Sequence, residues 1–226
     1  MDTTPTSCGR CSAKSYPRAS IADAVIKLVI MNKLKELIGE TEQDAIEIAT
    51  ALGEDVEAGV AEVDSIGRKI VIRVSETGIF PSGSATLNDD FLPVLAVIER
   101  VLAGTAGQIS VEGHTDNVPI RTRTFASNWA VSSARAMSVA HGLFDGGILR
   151  PGRFPVKGYA DTQPLAANVS STNRALNRRV EIIIQQGLDA EVTDQIEALK
   201  RIDPALYGEI RSEVETSFEL EAHEVF

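Results

Sequence analysis

Apolar residues at Ile21, Val25, Leu28, Met31, Leu34 and Ile38 recur at the three-to-four-residue spacing of a helix face and predict a helix from about Ser20 to Leu52. Asp23, Lys27, Lys33 and Lys35 interrupt the run. Each charge near the centre of a membrane span costs ~2.5–3.5 kcal/mol on insertion, and a span takes about 20 mostly apolar residues. The pattern is that of a packing or coiled-coil helix. Gly53 and the acidic stretch after it read as a connector or short helix, and Lys69–Val74, with Ile70, Val71, Ile72 and Val74, as a strand. Pro81 and Gly83 punctuate a loop over Phe80–Ala85. Asn88, Asp89 and Asp90 mark the start of a helix to Leu102, because acids are favoured at the positive helix end.

Ile109–Gly113 is the next expected strand, followed by a long loop through Pro119, Arg121 and Arg123. Ser127 or Asn128 is placed to cap a helix over Ala130–Leu143, which Gly146-Gly147 closes. Phe154–Gly158 reads as a third strand, Asn173–Asn177 as a helical turn and Val180–Gln185 as a last strand. Strands separated by helices need crossover connections, so the expected fold is α/β: a mixed four-stranded sheet packed by helices. From Leu188 to Phe226 the pattern is helical and charged, with a break at Asp203-Pro204 and a solvated face as the expectation. Trp129 is expected in the core, with an exposed sugar-stacking platform as its alternative role. The implied organisation is a flexible tail (residues 1–19), a helical arm (20–65), the α/β domain (66–187) and an acidic helical tail (188–226).

At 226 residues with 43% hydrophobic and 24% charged positions, the chain can bury one good core. Its net charge of −10 is unevenly spread. Residues 108–187 carry nine Lys/Arg against five Asp/Glu, residues 188–226 three against eleven, and residues 1–107 ten against sixteen. The total argues against nonspecific binding to nucleic acid or anionic lipid, while basic charge confined to the middle suits a local anionic group. Cys8 and Cys11 form a CxxC without a second cysteine pair or a nearby histidine, too few ligands for zinc. His114 and Asp116 make an HxD pair that lacks a third same-face ligand for a metal. No GxxxxGK[ST] phosphate loop is present, and Ser132 and Ser133 have no activating histidine in a recognisable elbow, so neither a cofactor nor an enzyme activity is expected.

Several spaced motifs, in order, carry a family resemblance: Gly113-His114-Thr115-Asp116-Asn117, Ser127-Asn128-Trp129, Ser132–Ala136, Gly158-Tyr159-Ala160-Asp161, Pro164, Asn168 and Asn173–Ile182. Together they resemble the OmpA-like peptidoglycan-binding domain. GHTDN followed by SNW and NRALNRRVEI, with FPSGSATL upstream, is most similar to the MotB/PomB stator B subunits of the flagellar motor. The resemblance covers roughly Ile66–Gln186. Stator B subunits carry a membrane helix with an ion-binding aspartate near the N-terminus, and the first 40 residues here hold no such span. The resemblance thus implies the anchoring half of the family's activity, not ion conduction.

By that resemblance the ligand is peptidoglycan, whose stem peptides carry diaminopimelate with an ammonium and a carboxylate at its side-chain end. The family clamps these two charges with an aspartate after the strand and an arginine on the following helix, which match Asp116 and Arg135. Thr115, Asn117 and Asn128 are expected to complete the pocket, Asn128 having a helix cap as its alternative role. Arg178 and Arg179 are adjacent on an extended segment, so only one of them is expected to face it; structural pairing with Asp161 or Glu181 is the alternative. The resemblance further implies a homodimer, a MotA/PomA-like stator A subunit as partner, and a periplasmic place on an inner-membrane-associated protein. A general envelope anchor of the porin or lipoprotein kind, and a span-less stator homologue acting as an interaction protein, are the competing readings.

Overall fold

The computed structural model describes residues 21–218 apart from residues 106, 151, 153 and 189. Residues 1–19 and the Cys8/Cys11 pair lie outside the described residues. The described residues open on a long helix, α1 (Ile21–Ala51), followed by a short α2 (Gly53–Glu57) and the strands β1 (Ala61–Ile66) and β2 (Lys69–Ser75). One turn of helix, α3 (Glu76–Ile79), leads through a loop and a 3-10 turn at Asp89–Phe91 into α4 (Leu92–Gly104). Then come β3 (Gln108–His114), α5 (Asn128–Phe144), β4 (Val156–Ala160), α6 (Ser171–Asn177) and β5 (Arg179–Gln185). Two helices, α7 (Ala190–Ile202) and α8 (Pro204–Phe218), end the described chain. Among the described residues no helix is long and apolar enough to cross a membrane.

The sheet has five strands in the order β1-β2-β5-β3-β4, one more than the sequence pattern suggested. The added strand is β1, which lies in the stretch read as a connector. It pairs antiparallel with β2, Ala61 opposite Val74 and Ile66 opposite Lys69. The two-residue turn between them has Gly67 at φ 60°, the glycine-first form of a tight hairpin. Only Ala61 in β1 is fully buried, so the strand offers little apolar alternation to read.

Period-2 alternation sets the core. Ile70, Ile72 and Val74 of β2, Val180, Ile182 and Ile184 of β5, and Ile109 and Val111 of β3 all point to one face and are essentially sealed from solvent. Against them pack Leu95, Ile98 and Leu102 of α4 and Ala136, Val139, Ala140 and Leu143 of α5, together with Ala45 and Ile48 from the second half of α1 and Leu52 just after it. Each such aliphatic side chain is worth about 1.5–3 kcal/mol when fully buried.

A second apolar cluster joins the first half of α1 to the C-terminal helices. Ile30, Met31 and Leu34 pack with Val192, Ile196 and Leu199 of α7 and Leu206, Ile210 and Val214 of α8. The acidic tail is therefore solvated on one face only, and its apolar face is folded back on α1. Asp203 makes the break between α7 and α8, its carboxylate accepting from the backbone N–H of Ala205 at 3.1 Å and of Leu206 at 3.0 Å.

Candidate binding site

Sheet register brings three chain segments to one place. β3 runs antiparallel to β5 with Gly113 opposite Val180, so the end of β3 meets the start of β5. β2 runs antiparallel to β5 on its other side with Ser75 opposite Arg179. The residues just beyond these ends are Asp116 after β3, Arg178 before β5 and Glu76 after β2. Arg135 arrives from α5, which is seated on β3 at Gly113. A Cβ there would stand 2.1 Å from the carbonyl oxygen of Ser132, so only glycine allows the helix to lie this close.

The four charged side chains form a chain of alternating sign. Arg135 donates through Nη2 to Glu76 Oε1 and through Nε to the carbonyl oxygen of Ser84 at 2.9 Å. Its guanidinium also lies over the Phe80 ring, 5.2 Å from the centroid. The other Glu76 oxygen is 2.6 Å from Arg178 Nε, out of line for a hydrogen bond, and Arg178 Nη1 donates to Asp116 Oδ2 at 2.8 Å. Burial alone lowers the Arg178 pKa, but the hydrogen bond to Asp116 and the charges of Glu76 and Asp116 outweigh it and leave Arg178 raised and firmly charged. Arg135 is 3% exposed and Asp116 6%, so these charges interact with little screening by solvent.

Around this chain the remaining expected residues serve the loop. Asp116 Oδ1 accepts from the Val118 backbone N–H at 3.0 Å. Asn128 uses its whole amide on the loop: Nδ2 donates to the carbonyls of Asp116 at 3.0 Å and Val118 at 3.1 Å, and Oδ1 accepts from Ile120 N–H at 2.7 Å. It is thus a loop clamp at the first position of α5, and the cap is Ser127, which accepts from Ala130 N–H. Thr115 is buried, its N–H donating to Ala160 O at 2.8 Å and its hydroxyl to Asp116 O at 3.0 Å. Asn117 is exposed, its N–H 3.4 Å from Asn168 Oδ1. Trp129 is not in the core: it is 53% exposed, while Val131 and Ser132 beside it on α5 are fully buried.

Arg178 and Arg179 do face opposite ways. Arg179 lies on the outer face of the sheet and donates to Glu181 Oε1 at 2.6 Å. There it joins a charged row across the strands in which Glu181 stands opposite Glu112 and Arg73, and Glu112 opposite Lys157. Beside that row His114 is buried and stacked on Tyr159 at 5.4 Å. Burial, and after it the Arg179 charge, push its pKa down to about 4. His114 therefore groups with Glu112 and Glu181, not with Asp116; the three could meet at one cation, their ligand atoms lying within 4.8 Å of one another. Lys157 already holds Glu112 at 2.8 Å and Arg179 holds Glu181, so a cation there would have to displace both.

Glu76 is the residue that sequence patterning does not single out. It lies between a strand and a loop with no motif around it, and only the antiparallel register of β2 on β5 carries it to Arg178.

Comparison with known proteins places this geometry. Residues 79–178 match the model of the OmpA family. Motility protein B of Bacillus subtilis is 33% identical over 127 residues, 56% of this chain and 49% of the relative. The chain spans about half the length of the curated relatives it first matches. The solved structure of the cell wall anchor of the T6SS from Pseudomonas aeruginosa is 38% identical with a TM-score of 0.58, over 62% of this chain and 97% of that one. A MotB-like protein from Desulfovibrio vulgaris is 29% identical with a TM-score of 0.63, over 68% of this chain and 99% of that one.

Proposed function

From the premise that this chain belongs to the OmpA family through residues 79–178, we propose that it binds peptidoglycan noncovalently and anchors a flagellar stator complex to the cell wall. The supporting observation is the convergence of Asp116 and Arg135 on one ionic chain at the ends of β2, β3 and β5. Asp116 accepts from the ammonium of a diaminopimelate-containing stem peptide, and Arg135 grips the neighbouring carboxylate. Arg178 tunes Asp116 from the flank. Asn128, Thr115 and Asn117 hold the loop that carries it. Arg179 braces the outer face of the sheet.

Such a site binds without transforming. Its groups are ion-pair partners, and no nucleophile and base are set against each other in it. In the stator reading the domain stands in the periplasm on an inner-membrane-associated protein, works as a homodimer, and serves a MotA/PomA-like channel subunit. The bare face of α1, where Val25 is 52%, Leu28 60% and Val29 48% exposed, is the surface offered for the second copy.

The test is co-sedimentation with insoluble peptidoglycan, wild type beside Asp116→Asn. Sedimentation of the wild type and loss of it in the variant support the reading; equal sedimentation of both sinks the site assignment. The 38% identity to the T6SS wall anchor favours a second reading, in which the same wall grip serves another envelope machine. Swimming assays of a deletion strain separate the two, since only the stator reading requires loss of motility.

A further inference from the structure

We propose that Glu76 belongs to the binding site and, in the free protein, holds the place on Arg135 that the ligand's carboxylate must take. The inference rests on the reading that Asp116 and Arg135 clamp the two charges of a zwitterion.

Both jaws of that clamp are already matched by the chain itself. Glu76 presents a carboxylate to Arg135, and Arg178 presents a guanidinium to Asp116 at 2.8 Å. Glu76 Oε2, 2.6 Å from Arg178 Nε, ties the two surrogates to each other. The surrogates thus carry the same pair of charges, in the same order, as the ammonium and carboxylate of a diaminopimelate side chain. Binding is an exchange in which two internal ion pairs give way to two with the ligand.

The backbone is arranged so that the Glu76 side chain can move without the sheet. Glu76 N–H donates to Arg178 O at 3.0 Å, which pins its main chain to the start of β5. Arg135 keeps an anchor of its own, Nε on Ser84 O at 2.9 Å. Swinging the Glu76 carboxylate aside therefore leaves Arg135 aimed at the site with one edge of its guanidinium open.

Glu76 then sets how strongly the site prefers a zwitterion over a plain cation. A stem peptide with lysine in place of diaminopimelate offers only an ammonium, and Glu76 can stay on Arg135 while it binds. A diaminopimelate peptide must compete with Glu76 for Arg135. Neutralising Glu76 removes the competitor for the carboxylate; it also releases Arg178, an effect both probes feel, so the difference between the probes isolates the carboxylate.

The experiment uses the full chain and two soluble probes, disaccharide-tripeptides with meso-diaminopimelate or with lysine at the third position, titrated calorimetrically into wild type, Glu76→Gln and Asp116→Asn. Glu76→Gln is expected to raise affinity for the diaminopimelate probe about tenfold relative to the lysine probe, a hydrogen bond to a charged group being the interaction freed. An unchanged or lower preference of Glu76→Gln for the diaminopimelate probe over the lysine probe, with Asp116→Asn still abolishing binding, overturns the role of Glu76 and leaves the clamp standing. Equal binding by wild type and Asp116→Asn, or none by the wild type, overturns the clamp and this proposal with it. A fold-independent arm uses the wild type alone: the Glu76 carboxyl ¹³C resonance is expected to shift further on saturation with the diaminopimelate probe than with the lysine probe, and equal shifts or none with both overturn the exchange.

Discussion

Replacing Arg135 with alanine tests the ionic chain as a source of stability apart from any ligand. Arg135 is 3% exposed, and its partner Glu76 has a side chain 14% exposed, so the pair is held largely out of water. Removing one member of a buried pair costs about 3–5 kcal/mol when the other is left uncompensated. Glu76 retains Arg178 at 2.6 Å, which puts the expected cost at the lower end, about 3 kcal/mol. The hydrogen bond to Ser84 O and the stacking over Phe80 are lost in the same substitution and keep it from falling much below that. With a urea slope of about 1–3 kcal/mol/M, the unfolding midpoint is expected to drop by roughly 1–3 M. Arg135→Lys keeps the charge and loses the fork, and is expected to fall between. A midpoint for Arg135→Ala within about 0.2 M of wild type refutes the argument. The result also governs how binding data are read: lost wall binding by Arg135→Ala mixes ligand contact with stability. Asp116→Asn separates them better, because its Oδ1 contact to Val118 N–H survives.

Three further outcomes follow from the packing. Gly113→Ala puts a Cβ 2.1 Å from the Ser132 carbonyl, and a thermal melt is expected to show a loss of about 1–3 kcal/mol or more as α5 is pushed off β3; an unchanged melting temperature contradicts the close approach. His114 has its pKa lowered from 6.5 to about 4 by burial and then by Arg179, so the unfolded chain binds the proton first. Stability is then fully present above pH ~6.5 and falls by ~3 kcal/mol as pH drops toward 4. His114→Gln is expected to flatten that part of the urea-midpoint-versus-pH curve, and an equally steep curve for the variant removes His114 as the cause. Ile210→Asp places a charge where a side chain 1% exposed now sits among α1, α7 and α8. Limited proteolysis is expected to clip the C-terminal helices in the variant while sparing the sheet, and wild-type resistance there shows that the docking is not needed to protect them.

What could be read from the chain and what could not divide by range. Strands β2, β3 and β5 and helix α5 were legible because each carries enough apolar periodicity to declare its own buried face, as Ile70-Ile72-Val74 and Val180-Ile182-Ile184 do. The opposed directions of Arg178 and Arg179 were legible for the same local reason. Strand β1 was not, since an edge strand with one fully buried residue has almost no alternation to show. Trp129 misled because bulk and apolarity favour burial on average, while its side depends on how α5 rotates about Gly113 and Ser132. Glu76 and the docking of α7 and α8 on α1 depend on register and tertiary packing between distant segments, and no local pattern encodes those.

Helix α1 belongs to both apolar clusters. Over 31 residues, or about 46 Å at 1.5 Å per residue, it passes from Ile30, Met31 and Leu34 among α7 and α8 to Ala45 and Ile48, with Leu52 just after it, beneath the sheet. If Asp116 holds a wall as proposed, a pull applied at the first turn of α1 is carried by side chains in shear along the helix axis, shared between the two contacts. The C-terminal helices, which follow β5 in the chain, splint the first half of α1 and so share with the sheet any load that α1 carries. An anchor built this way would resist a pull at α1 through two packed contacts at once, and both must slide before the helix comes away.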